Sequence, residues 1–122
     1  MNILLGVGGT DDGIRAMERT LDRVDETGDD LTIAVFENAA SDLTVDEVVD
    51  RVDDNLTTAG VKASVRRVEG HPGSGLVELA EREGFDRIVL GGGERSPMGK
   101  VQVGSVGQYV VMNAPMKVTL GR

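Results

Sequence analysis

Short apolar runs alternate with amphipathic stretches along this chain, and that alternation constrains its fold more than any other feature. Residues 3–7, 31–36 and 88–90 are almost continuously apolar, as is typical of strands buried on both faces of a sheet. The stretches between them carry apolar residues at helical spacing. Because strands that alternate with helices usually pair in parallel, the pattern predicts an α/β fold with helices on both faces of a parallel sheet.

Caps and glycines predict where the helices begin and end. Thr10 or Asp11 can cap the first helix, and Thr44 with Glu47 forms a capping-box pattern before the second. Residues 61–66 alternate between apolar and polar side chains, which favours a strand at the edge of the sheet. The first three helices are each expected to end at a glycine, namely Gly28, Gly60 and Gly84.

Composition limits the classes of function. The 122 residues have the size of one domain, 1–122, and a net charge of −8 from 21 acidic and 13 basic residues. Such a surface repels nucleic acid and anionic membranes, so neither is expected as a partner. The acidic, lysine-poor balance favours a halophilic protein, whose self-repulsion a salt-rich cytoplasm would screen. No cysteine is present, which excludes disulfides and thiolate chemistry.

The location expected for this chain is the cytoplasm. The first residues run directly into an apolar strand, without the charged segment and cleavage site of a secretory signal. No apolar run approaches the ~20 residues that span a bilayer.

The stretch 91–105 carries the clearest functional signal. An apolar strand is followed by Gly91, Gly92 and Gly93, then by a polar loop, and Gly104-Ser105 opens an amphipathic segment. Glycines let backbone N–H groups approach a ligand, and the start of a helix offers free N–H groups. The stretch therefore predicts an anion site, most often a phosphate site. An ordinary surface turn with loop glycines is the alternative.

These residues also resemble the universal stress protein family. That family's phosphate loop reads Gly-x2-Gly-x9-Gly-Ser/Thr and is followed by a helix, a proline and a short strand. Here Gly91 and Gly104-Ser105 match, and Pro115 precedes the final apolar run, 116–120. The opening run with its turn, Gly70-x-Pro72 and Asp86-x-Ile88 are similar as well, so the resemblance covers nearly the whole chain.

The resemblance implies a five-stranded parallel sheet of order 3-2-1-4-5, Rossmann-like, and a homodimer formed through the last strand. It also implies an adenine-nucleotide site that holds ATP with Mg²⁺. This chain departs from the family pattern twice: Glu94 replaces the second loop glycine, and Gly8 replaces an aspartate that helps to hold adenosine. The residues expected to bind the nucleotide are Gly8, Gly9, Val35, Gly91, Gly92, Gly93, Arg95, Ser96, Lys100, Gly104, Ser105 and Val106.

Two classes of function stay open. One is a regulatory domain of the stress response with a degenerate nucleotide site. The other is a dimeric interaction protein of the same fold that binds no nucleotide. An enzyme is not expected, because no nucleophile–base pair is visible. His71, the single histidine, is interpreted as a solvated loop residue, and paired acids such as Asp53-Asp54 as solvated surface rather than a metal site.

Overall fold

The computed structural model describes residues 1–38, 41–91, 94–95, 101–102 and 105–121. Strands and helices alternate through most of the chain, as the sequence pattern predicts. In chain order the elements are β1 (Asn2–Val7), α1 (Asp11–Thr27), β2 (Asp30–Phe36), α2 (Val45–Ala59), β3 (Ser64–Val68), α3 (Pro72–Glu83), β4 (Arg87–Gly91), β5 (Glu94–Arg95), β6 (Val101–Gln102), α4 (Ser105–Asn113) and β7 (Lys117–Gly121).

Five strands form one parallel sheet in the order β3-β2-β1-β4-β7. This confirms the expected order 3-2-1-4-5, with β7 as the fifth strand. The predicted edge strand is also confirmed, although β3 begins at Ser64 because Val61 and Ala63 pack against the core before the strand starts. The short strands β5 and β6 form a separate antiparallel pair, which the sequence analysis did not predict.

Two apolar layers enclose the sheet, and β1 contributes to both. Leu5 faces a cluster formed with α1 and α2, where Met17 and Val52 are fully buried. Leu4 faces the opposite cluster, in which Leu76 of α3 and Val110 of α4 are fully buried. Because neighbouring strand residues point to opposite faces, a strand covered on both sides must be apolar throughout. This explains the unbroken run at residues 3–5.

The predicted helix ends are confirmed. Thr10 caps α1 through its hydroxyl, which accepts a hydrogen bond from the Gly13 N–H at 3.2 Å. Thr44 and Glu47 form the complete capping box of α2. A left-handed glycine ends each of the first three helices, with φ of 74°, 67° and 69° at Gly28, Gly60 and Gly84. In the described part of the chain, no helix has the length and apolar character needed to cross a membrane.

His71 has a structural role that the sequence analysis did not predict. Its side chain is exposed, as expected, but Nδ1 accepts a hydrogen bond from the Ser74 N–H at 3.1 Å and so caps α3. The imidazole also meets the ring of Tyr109 edge-on, with centroids 4.9 Å apart. His71 therefore satisfies an N–H group of α3 and contacts α4 at the same time.

Replacing His71 tests the cap directly. His71→Ala removes the acceptor, and helix N-caps are worth about 1 kcal/mol. His71→Asn also removes the ring contact with Tyr109 but supplies a good capping oxygen. We expect urea unfolding to give His71→Ala a free energy of unfolding about 1 kcal/mol lower than that of His71→Asn. Equal stability of the two variants would show that the cap contributes nothing.

Candidate functional site

The carboxyl ends of β1 and β4 lie side by side at the centre of the sheet. β1 pairs with β2 on one side and with β4 on the other, so the strand order reverses between β1 and β4. In open parallel sheets, ligands bind beyond the carboxyl ends of the strands at such a point. Gly8 directly follows β1 and Gly91 ends β4, so two of the predicted site residues lie at this edge.

Gly91 lies directly against the first turn of α1. A Cβ atom at this position would be 2.7 Å from the backbone nitrogen of Gly13 and 2.9 Å from the carbonyl carbon of Asp12. Atoms do not approach so closely, and backbone cannot move aside as a flexible side chain can. The end of β4 can therefore contact the start of α1 only because residue 91 has no side chain.

The turn after β1 is packed equally tightly. A Cβ atom on Gly8 would be 2.5 Å from Cε2 of Phe36 and 2.9 Å from Cβ of Asn38. Phe36 ends β2 and is 4% exposed, so its ring is held in the core. Gly9 has φ of 86° and lies against Ser41 and Val48. The space beside Gly8 is thus filled by an aromatic ring.

The first turn of α1 brings negative charge to this edge. Asp11 is exposed, and Asp12 accepts a hydrogen bond from Arg15 at 2.9 Å through Oδ1. The second oxygen, Oδ2, is buried and has no hydrogen-bond partner among the residues that the structure describes. Carboxylates at a helix N-terminus are favourable for the helix dipole. These carboxylates repel a bound anion, however, unless a cation lies between the carboxylates and the anion.

The loop that follows β4 is described only in part. The pair β5–β6 places Glu94 opposite Gln102 and Arg95 opposite Val101, and α4 begins at Ser105. The predicted helix start at Ser105 is therefore confirmed. Five of the predicted binding residues, namely Gly92, Gly93, Ser96, Lys100 and Gly104, lie outside the described residues, as do the side chains of Arg95 and Ser105.

Two other predicted residues have buried side chains. Val35 is fully buried in the cluster beneath α1 and α2, so only its backbone can face a ligand at the sheet edge. Val106 is half-buried against the cluster formed by α3 and α4. Among the described residues, no group of three or more histidines or acidic side chains could hold a metal ion.

The whole chain matches one family model. The model described as the universal stress protein family covers residues 1–122. The chain belongs to this family. The assignment agrees with the sheet order and with the glycine pattern after β4.

A curated relative and two solved structures show how far the similarity extends. Universal stress protein MJ0531 of Methanocaldococcus jannaschii is 36% identical over 55 residues, which are 45% of this chain and about a third (32%) of that protein. A universal stress protein solved in complex with cAMP superposes with a TM-score of 0.77 at 23% identity, covering 100% of this chain and 96% of the other. A family member from Arabidopsis thaliana with AMP bound superposes with a TM-score of 0.70 at 17% identity. The match covers 100% of this chain and 92% of that protein.

The environment of Gly8 is the main feature that sequence reasoning missed in this universal stress protein. The pair Val7–Val35 is in register, so the next residues of the two strands, Gly8 and Phe36, lie side by side. A glycine beside a large aromatic residue is the signal that could have revealed the filled space. It becomes visible only once the register of β1 and β2 is known.

The contact between Gly91 and α1 predicts that residue 91 does not tolerate a side chain. Gly91→Ala places a methyl group against backbone atoms, and overpacking of this kind typically costs about 1–3 kcal/mol. Gly13→Ala is the matched control: its methyl group meets only the Thr10 hydroxyl at 3.2 Å, and alanine favours the helix. We expect urea unfolding to show a clearly lower free energy of unfolding for Gly91→Ala than for the parent, and little change in that quantity for Gly13→Ala. A Gly91→Ala protein as stable as the parent would contradict the close approach.

Proposed function

We propose that this chain is a single-domain, non-catalytic regulatory protein of the stress response that binds an adenine nucleotide at the carboxyl ends of β1 and β4. The observation that supports the proposal is the glycine contact between β4 and α1 at the point where the strand order reverses. That contact leaves the edge of β4 free of side chains close to the loop that leads into α4. Free N–H groups at the start of α4 are suited to a phosphate.

The relatives support the ligand class. The two solved structures described above contain cAMP and AMP. An adenine nucleotide is therefore the class of ligand that we propose for this chain. ATP with Mg²⁺ is our more specific proposal. Oδ2 of Asp12 has no partner in the described part of the chain, and a carboxylate oxygen is a suitable ligand for a Mg²⁺ carried by the phosphates. The cation would also offset the repulsion between the phosphates and the acidic first turn of α1.

The affinity is expected to be low in the natural chain. Gly8 offers no carboxylate for the ribose, and the ring of Phe36 occupies the space where a side chain at residue 8 would begin. Glu94 adds a negative charge in the loop sequence. The binding we propose therefore depends on backbone N–H groups and on the basic residues Arg95 and Lys100.

Restoring the family's residues at both ends of the proposed site, at positions 8 and 94, should increase the affinity for ATP with Mg²⁺. Gly8→Asp alone would collide with Phe36 and with Cβ of Asn38, so the repaired protein combines Gly8→Asp, Phe36→Leu, Asn38→Gly and Glu94→Gly. A hydrogen bond to a charged group is worth roughly 1.5–3 kcal/mol, or about tenfold or more in affinity. We expect calorimetric titration at one fixed salt concentration to show at least this gain, and Gly104→Val in the repaired background to abolish it.

The double variant Phe36→Leu/Asn38→Gly is the control, since it opens the space without adding a carboxylate and should bind ATP no better than the parent. Circular dichroism checks that each variant is folded. If the folded repaired protein binds ATP, AMP and cAMP no better than the parent, the proposed site is wrong. The dimeric interaction protein would then be the preferred function.

The surface beside β7 favours that second function. β7 pairs only with β4 among the described strands, and its Val118 is half-buried at the edge of the sheet. On the preceding helix, Val111 is 51% exposed and Met112 is 83% exposed. An apolar sheet edge next to exposed apolar side chains is suited to pairing with a second copy around a two-fold axis. We therefore propose a homodimer through β7, with or without a nucleotide.

The dimer is tested by sedimentation velocity. Met112→Glu adds a charge to a side chain that contributes little to the core, so it should weaken the dimer and leave the fold intact. Val118→Pro should weaken it as well, because proline removes a backbone donor from the edge strand. Thr58→Glu, at an exposed position of α2, is the control for added charge. A parent protein that sediments as a monomer at high micromolar concentration would exclude the dimer.

A further inference from the structure

The sheet carries a second pocket at the opposite end of the same strands. It has a volume of about 140 Å³ and lies between the C-terminal half of α1 and the strands β1, β4 and β7. Ile3, Val24 and Val89 contribute apolar surface, and Thr119 of the edge strand closes one side. The nucleotide site proposed above does not include any of these residues.

Three arginines line this pocket. Arg19 and Arg23 are one turn apart on α1, and Arg87 begins β4 across from them. Their guanidinium groups make no hydrogen bond or ion pair with any residue that the structure describes. Arg15, one turn earlier on the same helix, is by contrast paired with Asp12 at 2.9 Å. Arg19 and Arg23 are at i and i+4 of the helix, a spacing at which like charges repel each other.

Arg87 is the most constrained of the three. Its Nε is buried and has no hydrogen-bond partner among the described residues. Buried donors are normally satisfied, because a donor that has lost its water without gaining a partner destabilises the folded protein. Arg87 also lines the pocket, so the rest of its guanidinium group can pair with an acceptor from outside the chain.

The carboxylate that lines the pocket is already engaged. Asp29 Oδ1 accepts a hydrogen bond from the Met1 ammonium at 3.2 Å, and Oδ2 accepts one from the Thr27 hydroxyl at 2.8 Å. The Thr27 hydrogen bond and the Met1 ammonium lower the pKa of Asp29, and Arg87 adds a smaller effect in the same direction. With Asp29 balanced by Met1, the three guanidinium groups leave the pocket positively charged.

We propose that this pocket binds a small organic anion, an oxyanion group carried on a compact apolar body. The guanidinium groups are suited to the oxyanion, because their planar donors match two oxygens at once. The apolar surface of Ile3, Val24 and Val89 is suited to the body. An apolar cavity of about 150 Å³ in another protein holds benzene, so a pocket of this size accepts a body of about one ring.

The pocket is separate from the proposed nucleotide site. Arg87 and Gly91 are the first and last residues of β4, and four residue steps along a strand span about 13 Å. A ligand of one ring at Arg87 does not reach the loop after Gly91. The two proposals can therefore fail independently.

Titrations of the ¹⁵N-labelled protein with benzoate and with phenyl phosphate, followed by ¹H–¹⁵N NMR, test the pocket and identify the preferred oxyanion. We expect saturable shifts at the amides of Ile3, Thr20 and Thr119, which line the pocket. Benzamide has the same ring without the charge and should bind at least about tenfold more weakly. Arg87→Met keeps the apolar stem, removes the guanidinium and should cause a similar loss.

Arg15→Gln is the matched control, since Arg15 lies on the same helix outside the pocket, and it should leave benzoate binding unchanged. The double variant Arg19→Gln/Arg23→Gln changes only exposed side chains and decides the question if Arg87→Met does not fold. The proposal is overturned if neither anion binds saturably up to about 20 mM. Equal binding of benzamide, or unchanged anion binding in the folded arginine variants, would overturn it too. A cAMP titration of the pocket variants, Arg87→Met and Arg19→Gln/Arg23→Gln, should match the parent.

Discussion

The contact between the end of β4 and the first turn of α1 determines much of the carboxyl edge of this protein. Backbone packs on backbone there, and no side chain fits between Gly91 and the Asp12–Gly13 peptide. The contact fixes α1 beside the central strands. It also brings the acidic first turn of α1 to the same edge. The carboxylates of that turn oppose an anion, so the nucleotide site that we propose depends on N–H groups and on basic residues of the loop.

The charges of this chain are distributed in a way that its net value of −8 does not suggest. Acidic residues begin α1 at the carboxyl edge of the sheet, whereas three arginines surround the pocket near the amino ends of β1 and β4. A ligand responds to the local field, which depends on which side chains the fold brings together. The side chains described at the two ends of the sheet therefore carry charges of opposite sign.

Membership of the universal stress protein family establishes the fold but leaves the ligand to the particular residues. At Gly8, two features occur together. The aspartate that the family resemblance implies is absent, and the ring of Phe36 fills the space beside the glycine. Because the ring is held in the core, restoring a carboxylate requires more than one substitution. The absence of a carboxylate at residue 8 is therefore linked to the packing of Phe36 at the end of β2.

The sequence by itself determined the elements and their ends. Apolar runs identified the buried strands, Thr10, Thr44 and Glu47 identified helix starts, and the glycine pattern identified the family and hence the sheet order. These features can be read locally, because periodicity, capping chemistry and left-handed glycines depend on neighbouring residues. The β5–β6 pair was missed because two-residue strands carry almost no periodic signal.

Only the tertiary structure decided which distant residues meet. The Phe36 ring against Gly8, the Gly91 contact with α1 and the arginines around the second pocket each join residues from separate elements. Their meeting depends on strand register and on how α1 lies across the sheet. Neither is encoded in a local pattern, because a parallel sheet pairs strands that are separated by whole helices. The sequence therefore predicted where β4 gives way to the glycine-rich loop, whereas the packing of the folded chain decided what surrounds the end of that strand.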